Sequence, residues 1–187
     1  MSVSTNALKN GMTLQLDGTL FSIIEFQHVK PGKGGAFVRT KLRNLKSGAV
    51  VERTFRADEK VGLAILDRRE MQYLYAEDDS FVFMDLQTYE QLHVPAEVAR
   101  DSGRYLSDGQ TATVAVHEGN PISVELPAAV SLAVSKTDPG VKGDRVSGAM
   151  KPATLETGIV VQVPLFVEEG DRLKIDTRSG EYLERGK

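Results

Sequence analysis

Apolar and polar residues alternate at every second position through most of this chain, the period of a β-strand with one face against a core. The pattern starts at Leu14-Gln15-Leu16, turns at Asp17-Gly18 and resumes over residues 20–26, a hairpin with the Asp-Gly signal that two-residue turns favour. Residues 36–43 give the clearest case. Ala36, Val38, Thr40 and Leu42 fall on one face, and Phe37, Arg39, Lys41 and Arg43 on the other. A turn at Lys46-Ser47-Gly48 leads into residues 50–56, where Arg53 and Arg56 add positive charge. Short strands joined by tight turns predict a small SH3-like barrel.

Further along, residues 71–75 and 81–84 bracket the polar tip Glu77-Asp78-Asp79-Ser80 and predict another hairpin. One short helix is predicted next, with Pro95 in its first turn, residues 96–100 as its body and Gly103 as its stop. Strands over residues 111–117 and 122–126 turn at Glu118-Gly119-Asn120, and strands interrupted by one small helix suit an OB-type barrel. The last third has similar spacing, with strands predicted at 130–134, 159–163, 173–175 and 181–183. Residues 136–151 are left as a long loop, and its glycines would equally suit a flexible connection or close approach of backbone to a nucleic acid.

Charge changes this picture more than composition does. The chain has 187 residues, is 41% hydrophobic and carries a net charge of −3, which suits a globular protein. That sum hides a segregation. Residues 1–63 carry ten Lys and Arg against five Asp and Glu, a net +5, while residues 64–127 carry four against twelve, a net −8. Residues 128–187 balance nine against nine. A basic first third on an acidic chain predicts that one end meets a polyanion. The absence of cysteine excludes a disulfide framework and thiolate zinc sites. No apolar run reaches the roughly 20 residues of a membrane span, and no leader is recognisable at the start, so the expectation is a cytoplasmic protein that meets no membrane.

The chemistry-bearing residue that stands out is Lys33, in Lys30-Pro31-Gly32-Lys33-Gly34-Gly35 between two predicted strands. Glycines add nothing to a core, so this is either a solvated hairpin tip or a loop shaped to present one ammonium group. It is no P-loop. That motif needs a glycine where Gln27 stands and a hydroxyl residue after the lysine, where Gly34 stands, and it lies between a strand and a helix. His28, His93 and His117 show no metal-ligand spacing, the Glu77-Asp78-Asp79 run lacks the alternation of a calcium loop, and no serine sits in a nucleophile elbow. Neither an enzyme nor a metal or cofactor site is expected.

Three stretches together resemble bacterial elongation factor P over essentially the whole chain. They are Lys30-Pro31-Gly32-Lys33-Gly34-Gly35-Ala36-Phe37-Val38, Met71-Gln72-Tyr73-Leu74-Tyr75, and Lys151-Pro152-Ala153-Thr154-Leu155-Glu156-Thr157-Gly158 running on through Val163-Pro164-Leu165-Phe166-Val167. The resemblance implies an all-β fold of three small barrels in an L-shaped, tRNA-like outline: an SH3-like (KOW-like) domain over 1–63, then OB-fold domains over 64–127 and 128–187. It implies a monomeric translation elongation factor that binds both ribosomal subunits between the peptidyl and exit sites and relieves stalling at consecutive prolines. Lys33 would contact the CCA end of the peptidyl-site tRNA and be the target of a lysine-modifying enzyme. Lys30, Pro31, Gly32, Gly34 and Gly35 would shape its loop, and Arg39, Lys41 and Arg43 would meet ribosomal RNA or tRNA. Gly143, Asp144 and Arg145 would face the exit-site codon of the mRNA. The competing expectations are a general RNA-binding or RNA-chaperone protein built from OB folds, and an elongation-factor-P-like paralogue.

Overall fold

Alternation becomes three separate sheets in a computed structural model, which describes residues 1–140 and 148–186. The first sheet contains β1 (Ser2–Ser4), β2 (Thr13–Leu16), β3 (Thr19–Val29), β4 (Phe37–Asn44), β5 (Val50–Arg56) and β6 (Lys60–Ala64), in the order β1-β6-β2-β3-β4-β5. Leu14, Leu16, Ile23, Val38, Leu42, Phe55 and Val61 form its core. The expected Asp17-Gly18 turn joins β2 to β3, and both residues have positive φ, 51° and 78°, the geometry whose twist matches paired strands. β1 and β6 are not legible in the alternation, because only Val3 of β1 and Val61 and Leu63 of β6 pack on this core.

The second sheet runs β11-β10-β7-β8-β9, from β7 (Asp67–Glu77), β8 (Ser80–Asp85), β9 (Gln91–Pro95), β10 (Thr111–His117) and β11 (Asn120–Glu125). The helix differs from expectation. Pro95 ends the edge strand β9, paired with Ser80, where a missing N–H is tolerated. The helix α1 covers only Ala96–Ala99, and Gly103 lies inside the 3-10 segment Arg100–Tyr105 that follows it. A Cβ on Gly103 would stand 2.6 Å from the Phe81 ring, so this glycine is needed for close packing and does not stop the helix.

The third sheet runs β14-β13-β12-β15-β16, from β12 (Ala129–Thr137), β13 (Met150–Leu155), β14 (Val160–Pro164), β15 (Arg172–Asp176) and β16 (Tyr182–Arg185). Five strands replace the four expected. β13 was hidden by Pro152, which argues against a central strand. It is accommodated because β12 pairs only as far as Thr137 opposite Ala153, one residue short of the proline. The long connection therefore shortens at both ends. By internal contacts the chain divides into two compact units, Met1–Arg68 with Ala115–Ser123, and Arg69–Val114 with Val124–Lys187.

One turn recurs in all three sheets. Asn44, Asp85 and Asp176 each end a strand and accept two backbone N–H bonds on one side-chain oxygen: from Lys46 and Ser47, from Gln87 and Thr88, and from Arg178 and Ser179, at 2.7 to 3.1 Å. In each, the fifth residue (Gly48, Tyr89, Gly180) donates its N–H to the carbonyl of the first. In each, the hydroxyl of the fourth (Ser47, Thr88, Ser179) accepts from the sixth. These bonds leave the turn little freedom. They also hold the Asp85 and Asp176 carboxyls below the usual carboxylate range, because backbone N–H donors favour the charged form.

Candidate nucleic-acid interface

Lys33 sits in the connection between β3 and β4, whose last cross-strand pair is Val29 with Phe37. Residues 30–35 are all exposed, and none of them makes a hydrogen bond or ion pair among the described residues. Of the three glycines, only Gly34 has a backbone that demands one, at φ 108°. A Cβ on Gly32 or Gly35 would meet open space. The loop is an uncapped projection with the lysine near its middle.

Behind it, β4 separates its faces as the alternation predicts: Val38, Thr40 and Leu42 are buried, and Arg39, Lys41 and Arg43 are exposed. The register then divides this basic stripe. Lys41 lies opposite Glu25 on β3 and Glu52 on β5, with an ion pair of 3.0 Å to Glu25. The hydrogen bond and charge of Glu25, helped by Glu52, raise the Lys41 pKa. Arg39 lies opposite Gln27 and Thr54, and Arg43 opposite Ser22 and Val50, so neither faces a carboxylate across the ladder.

A β-bulge produces this arrangement. Ile23 pairs with Leu42 but Glu25 pairs with Lys41, so the extra residue Ile24 reverses the inward and outward positions of β3 beyond it. The two added cations also separate. Arg56 lies opposite Phe37, on the outward face beside Arg39, a position the sequence pattern alone did not assign to the stripe. Arg53 lies opposite buried Thr40, faces the other way and is engaged by Asp17 at 3.5 Å, with its guanidinium 5.8 Å from the centre of the Phe55 ring. Among the described cations of the loop and the stripe, Lys30, Lys33, Arg39 and Arg56 are open to an anion at the loop end, with Arg43 apart beyond the paired Lys41.

The remaining candidates do not converge on chemistry. His28 packs edge-on against Phe26 at 5.6 Å, His93 lies 3.7 Å from Glu77, and His117 Nδ1 is 3.2 Å from the Ile65 carbonyl. Glu77, Asp78 and Asp79 form the β7–β8 turn, with Asp78 at φ 48°. Gly143, Asp144 and Arg145 lie outside the described residues. Leading towards them, Gly140 passes so close to the Leu165 carbonyl that a Cβ would stand 2.6 Å from its oxygen. The buried Lys151 ammonium donates to the Asp138 carbonyl.

Comparison with known proteins assigns each sheet. The elongation factor P KOW-like domain matches residues 4–61, the elongation factor P OB domain residues 66–124, and the elongation factor P C-terminal domain residues 130–185. Elongation factor P of Acidothermus cellulolyticus is 59% identical over 182 residues, 97% of each chain. That of Natranaerobius thermophilus is 56% identical over 185 residues, 99% of this chain and 98% of its own. Among solved structures, Eukaryotic translation initiation factor 5A from Methanococcus jannaschii superposes with a TM-score of 0.56 at 30% identity, over 66% of this chain and 93% of its own.

Proposed function

This chain belongs to the elongation factor P family, whose members are translation factors and not enzymes, and from that premise we propose that it stimulates peptide-bond formation at consecutive prolines. It acts in the cytoplasm, on the ribosome, between the peptidyl and exit sites. Lys33 contacts the CCA end of the peptidyl-site tRNA, bare or after attachment of a group by a lysine-modifying enzyme. The working segments are 1–63 for the tRNA end, 64–127 as an acidic spacer, and 128–187, in which Gly143, Asp144 and Arg145 meet the exit-site codon.

The observation that carries this reading is the exposed, unbonded loop at 30–35, raised on the sheet whose segment has a net charge of +5. Proline is a constrained secondary amine and a poor acceptor, so the two tRNA ends seldom reach a productive geometry. A cation that holds the peptidyl-tRNA end lowers the entropic part of the barrier and needs no acid, base or nucleophile. The open cations Arg39 and Arg56, near the loop end of the ladder, suit backbone phosphates, which position without reading sequence. A general RNA binder would gain from a continuous stripe, whereas here Glu25 and Glu52 interrupt it at Lys41.

The test is reconstituted translation of a proline-run reporter with Lys33→Ala. Loss of rescue with ribosome binding retained is the expected result. Full rescue by the variant would overturn the assignment of Lys33.

A further inference from the structure

Alternation along β10 puts Ala112, Val114 and Val116 on one face, where all three are buried, and Ala115 and His117 on the other. That second face should meet water. Instead Ala115 has no exposed surface and the Nε2 atom of His117 is buried, so the end of β10 is covered on both sides. By internal contacts this end, within Ala115–Ser123, belongs to the first compact unit with Met1–Arg68. Inside that unit, His117 Nδ1 lies 3.2 Å from the carbonyl of Ile65, 52 residues earlier in the chain.

The two ring nitrogens then have fixed roles. A carbonyl oxygen can only accept, so Nδ1 carries the hydrogen and donates it, and in the neutral ring Nε2 is left with a bare lone pair. Among the described residues that lone pair has no partner. A buried polar atom without a partner is unfavourable, and a leucine would fill the same place without creating one. The imidazole is explained by its single bond. The acceptor stands in the short connection between the end of β6 at Ala64 and the start of β7 at Asp67. The Ile65 side chain is exposed, so packing does little to hold this connection, and the His117 bond ties it down.

We infer that His117 is a positioning residue for Lys33, pinning the connection from which the sheet that carries the lysine loop is held. This rests on the reading above in which Lys33 acts by holding a tRNA end. The register supplies the lever. Ala64 lies opposite Thr13 on β2, Thr13 lies opposite Ser22 on β3, and β3 runs on from Ser22 to Val29, after which the loop begins. At about 3.3 Å per residue that stretch of strand spans roughly 20 Å. A tilt of about 3° at the pinned connection would therefore displace the loop by about 1 Å, a scale at which catalysis by positioning is impaired.

Two measurements test this. In the full chain with isotope-labelled histidine, a long-range nitrogen–proton spectrum at alkaline pH should show the Nδ1–H tautomer at His117, and an Nε2–H tautomer would overturn both the bond and the role. In reconstituted synthesis of a proline-run peptide, His117→Leu should half-saturate at the wild-type concentration yet reach a plateau rate roughly tenfold lower. His117→Asn, whose side-chain amide can donate from the place of Nδ1, should recover most of that plateau. A merely structural role would shift the half-saturating concentration, leave the plateau alone and gain nothing from asparagine. That result, or a wild-type plateau in His117→Leu, would overturn the proposal. Failure of the underlying reading looks different: the wild-type chain and Lys33→Ala would then give the same rate, and His117 would have nothing to position.

Discussion

The loop at 30–35 and the turn at 85–90 both close hairpins, and both raise one large side chain into solvent. Their construction is opposite. In the turn, an aspartate and a threonine side chain satisfy backbone donors, and the strand ends are tied by Asp85 N–H to the Glu90 carbonyl at 2.9 Å. In the loop no internal bond replaces the ladder lost after Val29. A hairpin that only needed closing could have used the first design, which recurs in each of the three sheets. The loop gives up those bonds, and what it gains is reach, with an ammonium standing clear of any protein partner.

The largest effect that follows falls on activity and not on stability. Lys33→Ala should abolish rescue of proline-run synthesis while leaving the melting temperature within about 1 °C, since an exposed loop residue contributes little packing. Translation kinetics and calorimetry on the same preparation check both halves. A large drop in melting temperature would show that the loop is tied down after all, and the contrast between the two hairpins would fail.

The mirror experiment is Asp85→Ala, which strips the turn of its cap. It should lower the melting temperature by roughly 5 °C, as expected when two bonds to an ionised group are lost from a chain of this length. The pH dependence has a definite sign. The folded Asp85 carboxyl titrates below its unfolded value, so its contribution is fully present above the unfolded pKa, near about 4, and is lost as pH falls through the depressed folded value. Asp85→Asn keeps an oxygen for the two N–H donors, as Asn44 does in the first sheet. That variant should therefore hold the turn and show a flatter stability curve below about pH 4. Denaturant melts across the acid range measure it.

Much of this was legible in the chain, and the failures have particular causes. The faces of β4 followed from alternation alone, because Val38, Thr40 and Leu42 meet a core while their neighbours meet water. The Lys33 loop was legible because its glycines and lysine cannot pack. The division of the stripe was not, since it depends on a bulge at Ile24, and unbroken alternation would have put Glu25 on the inward side with Ile23. Pro152 hid β13 for a similar reason: a proline is forbidden in a paired strand only where a partner needs its N–H, and β12 has ended by then. The repeated turn did have a signal that local reading passed over, in Asn44-Leu45-Lys46-Ser47-Gly48, Asp85-Leu86-Gln87-Thr88-Tyr89 and Asp176-Thr177-Arg178-Ser179-Gly180.

A smaller effect separates the glycines of the loop. Gly34→Ala should cost about 1 kcal/mol, because a Cβ at φ 108° is strained whatever space surrounds it. Gly32→Ala should stay within about 0.5 kcal/mol, since nothing lies within 4 Å of its added Cβ. Equal costs at both positions, read by urea denaturation, would mean that the loop is held by more than its one left-handed residue.

The smallest effect tests the divided stripe. Lys41 faces Glu25 and Glu52 across the ladder, so a phosphate approaching it would have to displace a carboxylate already 3.0 Å from the ammonium. Arg39 faces only Gln27 and Thr54. Arg39→Gln should therefore weaken ribosome binding a few-fold and reduce the slope of log affinity against log salt by about 1, the signature of one lost phosphate contact. Lys41→Gln should leave that slope unchanged. Its effect should appear in the loss of the exposed pair with Glu25, worth little in such a setting. If both variants reduced the slope equally, Glu25 and Glu52 would not be shielding Lys41, and the whole outward face of β4 would have to be read as one continuous contact.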